Sequence, residues 1–425
     1  MLKLGTFTVD CTPPIGCGVL FGIAGATTGV RDPLFLRGFV FDDEGCRYLV
    51  ASMDFGGLMN SAYDDLARTL AKAVNTPEER VIIHCIHQHD APLLDYEIEA
   101  YFNRETYPRQ WWTDVINKCA QAATECLNRM VAISSLGYNE TRLHGYASNR
   151  RILGRDGKVA GMRFSKCADT DLKNEPVGVI DPMLRTVAFR DSSGKIAGSM
   201  SFYATHPQVS NGRFIYSADA PGEALNILKG CSGDGLHGFF TGTGGNVTAG
   251  KYSSATDLEG NLLRFGKILA DGISLNLAAM KWEDAGKLCW NSAEFPFPAQ
   301  QIDKDKLLGL INDENVNLTN RIQKAVLLTC LEYKKNSSYH FSMLRIGGAR
   351  ILFLPGELFV EYQLYAQSLI PDEFLAVAGN CSDNFLYLPL AKHFEEGGYE
   401  VGSFCWCTSD FERRFKKALS GLLSR

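Results

Sequence analysis

Short apolar runs that break off at histidine constrain this chain more than any other feature. Val81-Ile-Ile-His84-Cys-Ile-His87-Gln-His89-Asp-Ala-Pro92 and Phe202-Tyr-Ala-Thr-His206-Pro207 carry four of only 8 histidines in 425 residues. An apolar run of four to eight residues bounded by turn formers reads as a buried strand. Pro207 lacks an N–H, so it stops regular pairing and begins a loop. Strand ends that open into loops are where α/β proteins build sites, and the chain is expected to present imidazoles at such ends.

Side chains alternate along a strand, so His87 and His89 are expected on one face, about 6.6–6.8 Å apart, with His84 turned away. An isolated H-x-H reads equally well as two satisfied histidines at a strand end. His206, delivered by a second strand, favours a shared centre. A catalytic zinc takes about three nitrogen, oxygen or sulfur ligands and leaves a position for water, so two histidines and one carboxylate suffice. Glu357 is the candidate acid, because Ala349-Arg-Ile-Leu-Phe-Leu-Pro355-Gly356 runs as a strand into a turn just before it. The same segment also fits a solvated loop glutamate. Asp54 and Asp219 stand at similar ends, where each can cap a helix or orient a histidine by accepting its second N–H.

Strand-like and helical patterns alternate along the chain, which predicts an α/β fold of mixed sheets packed with helices. Strands are expected over Tyr48 to Met53 and Arg80 to His87, and helices over Ser61 to Val74 and Trp111 to Met130. Strands over 183–191 and 197–207 follow, joined by the turn Ser192-Ser193-Gly194-Lys195. Helices are then expected over Ala220 to Lys229 and Asp257 to Ala278. After residue 283 come a strand (285–295), a helix (303–311), a strand pair around 340–354 and a final amphipathic helix from Phe411. No linker or repeat interrupts these patterns, so residues 1–425 read as a single domain, with a possible subdivision near 283.

A net charge of −5 with mixed signs leaves no basic patch for nucleic acid and no polybasic strip for anionic lipid. Ile15 to Val30 is apolar but short of the roughly 20 residues of a spanning helix, and five glycines break it. No membrane insertion is expected. The first residues lack the apolar core of a signal peptide, and the 13 scattered cysteines read as reduced thiols. A cytoplasmic protein with a small-molecule substrate is the resulting expectation; the sequence sets no oligomeric state.

Two polar loops add candidates. Gly245 to Lys251 nearly matches a phosphate-binding loop, but Tyr252 stands where Ser or Thr should bind magnesium. The loop reads better as one whose backbone approaches a substrate, with Gly245 and Asn246 on the substrate side. Thr248 in that loop is a nucleophile, an oxyanion donor or a turn residue. Asn149-Arg150-Arg151 lies in a second loop that is either plain surface or a clamp for an anionic or carbonyl group, with Asn149 and Arg150 as the binding candidates.

Several segments resemble, in order, the neutral/alkaline non-lysosomal ceramidase family. They are Asp10-Cys-Thr-Pro-Pro14, Asp32-Pro-Leu34 with Arg37, His87-Gln-His89-Asp-Ala-Pro92, Thr205-His206-Pro207, Ser217-Ala-Asp219-Ala-Pro-Gly222, Gly245-Asn-Val-Thr248, Pro355-Gly-Glu357, Tyr387-Leu-Pro389 and Gly397-Gly-Tyr-Glu400. The resemblance implies a catalytic domain without the family's C-terminal immunoglobulin-like domain. It also implies a single zinc ion held by His87, His206, Glu357 and Tyr387, with His89 behind the ligands or handling protons. Thr248 occupies the place of a family serine proposed as nucleophile. The sequence departs from the family at Asp90-Ala91, where the family has Ser-Gly, and at Thr248. The implied activity is zinc-dependent hydrolysis of a linear amide or ester bond in a small molecule other than ceramide, with His89, Tyr387 and Thr248 in catalytic roles. Two alternatives stay open: a metal-free amidohydrolase with Thr248 as nucleophile, and a catalytically silent ligand-binding protein of the same fold.

Overall fold

The apolar runs pair into one mixed sheet of 13 strands, seen in a computed structural model that describes residues 1–425 apart from 24, 230–234, 335 and 403. The order across the sheet is Leu236–Thr241, Ile196–Tyr203, Met183–Asp191, Val131–Arg142, Leu2–Asp10, Phe35–Asp43, Cys46–Met53, Val81–Cys85, Phe374–Cys381, Ala349–Pro355, Ser338–Ile346 and Leu288–Pro296. Lys281–Asp284 adds to Val131–Arg142 off this path. Three pairings are parallel: Cys46–Met53 with Val81–Cys85, Ile196–Tyr203 with Leu236–Thr241, and Ala349–Pro355 with Phe374–Cys381. Strands before and after residue 283 thus belong to the same sheet.

The sheet folds back so that its first strand, Leu236–Thr241, meets Cys46–Met53, Val81–Cys85 and Phe374–Cys381 in its middle. Inward side chains of both halves, among them Phe39, Phe41, Val50, Phe189, Phe202, Phe240 and Phe353, form one core. His84 joins this core as expected from its parity. Its Nε2 accepts from the Thr241 N–H at 3.0 Å, and its Nδ1 lies 3.2 Å from Ser52 Oγ. Burial pushes its pKa down to about 3, so it is a neutral structural residue.

Helices cover the outer faces. Asn60–Val74 and Arg109–Leu127 close one core; Asp219–Lys229 and Leu258–Ala279 close another. Leu318–Tyr333, Val360–Leu369 and Asp410–Leu423 pack against the last strands. The sequence reading did not anticipate Leu318–Tyr333, although Asn317 caps it by accepting from the Asn320 N–H at 2.9 Å. Among the described residues no helix is long and apolar enough to cross a membrane. From the stretch Ile15 to Val30, Val19, Leu20 and Phe21 line a cavity and Gly29–Val30 forms a two-residue strand.

This topology brings strand ends together. Cys381 pairs with His84 near the ends of two antiparallel strands, and Ser52 Oγ donates to the Phe239 carbonyl at 2.5 Å. The carboxyl ends of Val81–Cys85, Ile196–Tyr203, Ala349–Pro355 and Phe374–Cys381 therefore point their following residues at one place.

Candidate metal centre

His87, His206 and Glu357 converge there. Their ligand atoms all lie within 4.8 Å of one another, and all three residues are buried. Glu357 Oε2 lies 3.2 Å from His87 Nε2 and 3.3 Å from His206 Nε2, and the two imidazole rings are 5.2 Å apart.

The route to this arrangement differs from the one expected. The strand ends at Cys85, and His87 takes φ 63°, a left-handed conformation that is uncommon outside glycine. Strand parity therefore does not set the His87–His89 pairing; the turn does, leaving the two rings 5.3 Å apart. Leu20, Phe214 and Leu386 also have left-handed backbones and also line the cavity next to the cluster. Strained backbone gathers at this site, as it does at functional sites in general.

The second nitrogens decide what the cluster can hold. His87 Nδ1 is 2.7 Å from the Gly56 carbonyl oxygen, and His206 Nδ1 is 3.1 Å from that of Val247. A carbonyl only accepts, so both Nδ1 atoms carry the proton and both Nε2 atoms turn bare lone pairs toward a carboxylate oxygen. Three electron-pair donors facing one another need a proton or a cation between them, so these residues fit a metal ion. Without one, a proton takes that place. Burial pushes His87 down, but Glu357 prevails and raises its pKa above the ordinary value. Burial, only partly countered by Glu357, keeps His206 low. Glu357 stays well below the carboxylate range despite its burial, held there by the two imidazoles.

Tyr387 stands beside Glu357, paired with it in the short parallel ladder Glu357–Leu358 with Tyr387–Leu388. Its ring is 6.5 Å from that of His206, and Arg150 lies over it at 5.3 Å. Burial and then Glu357 hold the phenol well above 10 despite Arg150. His89 lines the cavity, its Nε2 2.6 Å from the Gln208 amide. Burial and the two neighbouring imidazoles keep it well below 6.5, hence neutral.

The remaining candidates are placed elsewhere. Thr248 is buried; its hydroxyl donates to the Arg163 carbonyl at 2.8 Å and accepts from the Gly250 N–H at 3.2 Å. Asn246 is committed to the helix behind Glu357, with its Nδ2 donating to Glu361 and its Oδ1 accepting from the Val360 N–H. Asn149 is tied to Val179 and to the Arg151 N–H. Gly245 packs on backbone, where a Cβ would sit 2.5 Å from the Glu357 carbonyl oxygen. None of these four, nor Arg150, lines the cavity. The Asn149, Asn246 and Thr248 side chains are hydrogen-bonded within the protein, whereas the buried Arg150 Nη2 has no such partner among the described residues. Arg150 reaches the site through Tyr387, with its Nε donating to Glu400 at 2.8 Å. Neither acid weighed as a histidine orienter has that role. Asp54 binds Arg37 at 2.6 Å, and Asp219 ties down the Val209 and Ser210 amides.

The cavity holds about 370 Å³. His87, His89, Glu357, Tyr387 and Tyr399 form its polar end, and Leu20, Phe21, Leu93, Phe214, Ile322 and Phe404 form apolar walls. The sequence reading assigned no role to Tyr399 or to the helix carrying Ile322. The glycine pair before Tyr399 and the Asn317 cap were the available signals.

The fold is similar to that of solved neutral ceramidases, in line with the motif resemblance. A neutral ceramidase from Pseudomonas aeruginosa matches with a TM-score of 0.74 and 17% identity, over 100% of this chain and 75% of that one. A ceramidase complexed with C2 matches with a TM-score of 0.75 and 16% identity, over 99% of this chain and 74% of that one. No protein-family model and no curated protein sequence matches the chain.

Proposed function

We propose that this protein is a zinc-dependent hydrolase of an amide bond, or the related ester, in a small molecule with an apolar acyl part. The observation that carries the reading is the pair of bare Nε2 atoms, fixed by the Gly56 and Val247 carbonyls and aimed at one Glu357 oxygen. His87, His206 and Glu357 would hold the ion, with the Tyr387 phenol beside them. The N₂O donor set suits zinc and leaves a position open. When bound, the ion supplies Lewis-acid polarisation of a carbonyl and acidifies water toward a pKa of about 7.

The chain's own residues supply the rest. His89 is neutral and lines the cavity, so once its Nε2 is released from the Gln208 amide it can accept a proton during attack and return it to the leaving nitrogen. Tyr387, with Arg150 over its ring, can donate to a developing oxyanion, a role worth about 3–4 kcal/mol in comparable sites. The apolar walls bind the acyl part and keep bulk water out. A cavity of about 370 Å³ falls at the low end of the roughly 300–1,000 Å³ that encloses drug-sized ligands, which favours a substrate smaller than long-chain ceramide. All twelve described cysteines are free thiols, which supports a reducing, cytoplasmic setting.

Metal analysis with an N-acyl amide panel tests the reading. The expected result is one zinc per chain and hydrolysis that a chelator abolishes and zinc restores. Turnover in a metal-free His87→Ala protein would refute it.

A further inference from the structure

Behind the cluster, one buried polar group of residues links the walls of the cavity. Asn60 is fully buried at φ 54°, in the left-handed region that asparagine enters more readily than most residues. Its N–H donates to Asp383 Oδ1 at 2.9 Å and its Nδ2 donates to Asp95 Oδ1 at 3.1 Å. Its Oδ1 accepts from the Lys334 ammonium at 2.7 Å. Lys334 also pairs with Asp383 Oδ2 at 3.0 Å, and Thr329 donates to Asp95 Oδ2 at 2.7 Å.

Asn60, Asp95 and Asp383 sit a few residues from the site, and Lys334 lies eleven residues beyond Gln323 at the end of the helix behind it. Asn60 follows Gly56, whose carbonyl orients His87. Asp95 follows Leu93, and Lys334 ends the helix that carries Thr319, Ile322 and Gln323 into the cavity. Asp383 precedes Tyr387 in a segment where Asn380, Ser382 and Leu386 are all left-handed, at φ 49°, 58° and 58°. Such a backbone persists in residues other than glycine only when its surroundings fix it. An amide is the side chain that fits the hub, because it donates to one acid while accepting from the cation.

We propose that Asn60, with Lys334 and Asp383, is a positioning hub that sets the spacing between the segment orienting His87 and the segment carrying Tyr387. Its bearing on cation affinity rests on the metal-dependent reading above; its hold on the segments does not.

The test compares wild-type protein with Asn60→Gly, since glycine adopts φ 54° freely and keeps the N–H to Asp383 while removing both side-chain links. A second variant, Lys334→Met/Asp383→Asn, removes this ion pair together and leaves Asp95 held by Asn60 and Thr329. Cobalt(II) is the probe, read by titration and visible absorption, and amide hydrogen exchange over 380–388 is read on metal-free protein. Both variants are expected to weaken cobalt binding by roughly 10–100-fold, the usual cost of losing support behind metal ligands. They should also alter the cobalt spectrum and speed exchange over 380–388. Wild-type affinity, spectrum and exchange in either folded variant would overturn the hub. If wild-type protein binds no cobalt, the metal reading fails, and exchange alone still decides the hub.

Discussion

Glu357 and Tyr387 are register partners in a two-residue parallel ladder, which sets the carboxylate and the phenol side by side facing His87 and His206. Chain segments thirty residues apart are thereby locked into one donor set. Glu357→Gln keeps the shape but removes the charge that balances a cation. It should weaken zinc binding by more than about 100-fold in a competition titration, beyond the roughly 10–100-fold typical of residues behind the ligands. Tyr387→Phe should fold normally and lose much more kcat than metal content.

Protons and cations compete for the same Nε2 atoms. The His87 pKa is raised above its ordinary 6.5 in the metal-free cluster, where Glu357 outweighs burial. Proton binding therefore sets in at a higher pH than for a free imidazole, and cation affinity should begin to fall while the pH is still above 6.5. Isothermal titration across pH 5.5–8.5 checks this; affinity constant down to pH 5.5 would exclude His87 as a ligand.

Gly245 is fixed by close approach, since a Cβ there would meet the Glu357 carbonyl oxygen at 2.5 Å. Backbone cannot give as a flexible side chain can. Gly245→Ala should cost about 1–3 kcal/mol of stability, the usual range for overpacking, and should weaken cation binding because the displaced strand carries Glu357. Thermal unfolding and a zinc titration on the same protein measure both.

The apolar walls predict a chain-length dependence. Each buried methylene is worth about 0.8 kcal/mol, close to fourfold in kcat/KM. Rates over an N-acyl series should climb by about that factor per carbon and level off once the cavity of about 370 Å³ is filled. A flat series would show that the acyl part binds elsewhere.

Thr248 donates its one hydroxyl proton to the Arg163 carbonyl from a buried position. Thr248→Val should cost about 1–3 kcal/mol in stability, because the Arg163 carbonyl and the Gly250 N–H both lose a buried partner, and leave hydrolysis largely intact. Abolished turnover in a folded, metal-loaded variant would restore the covalent alternative.

How much of this was legible in the sequence depends on what holds each element. Strands such as 183–191 and the final amphipathic helix announce themselves through local period, and His84 was turned away by parity alone. His87 reached the right neighbour through a left-handed turn that no period encodes, because the Gly56 and Phe55 carbonyls that fix it come from another strand end. Polar loops are harder to read for a related reason. Asn149 and Asn246 look available until tertiary partners, Val179 for one and Val360 for the other, take up their amides. Asn60 carries no local signal, since its three partners lie up to 323 positions away.

Anomalous diffraction at the zinc edge on crystals of the native protein measures the centre most directly. The expected result is one peak per chain bonded to His87 Nε2, His206 Nε2 and a Glu357 oxygen, with Tyr387 beside it. Full-occupancy zinc elsewhere, or no peak after zinc soaking, would contradict the metal centre and the hydrolase built on it.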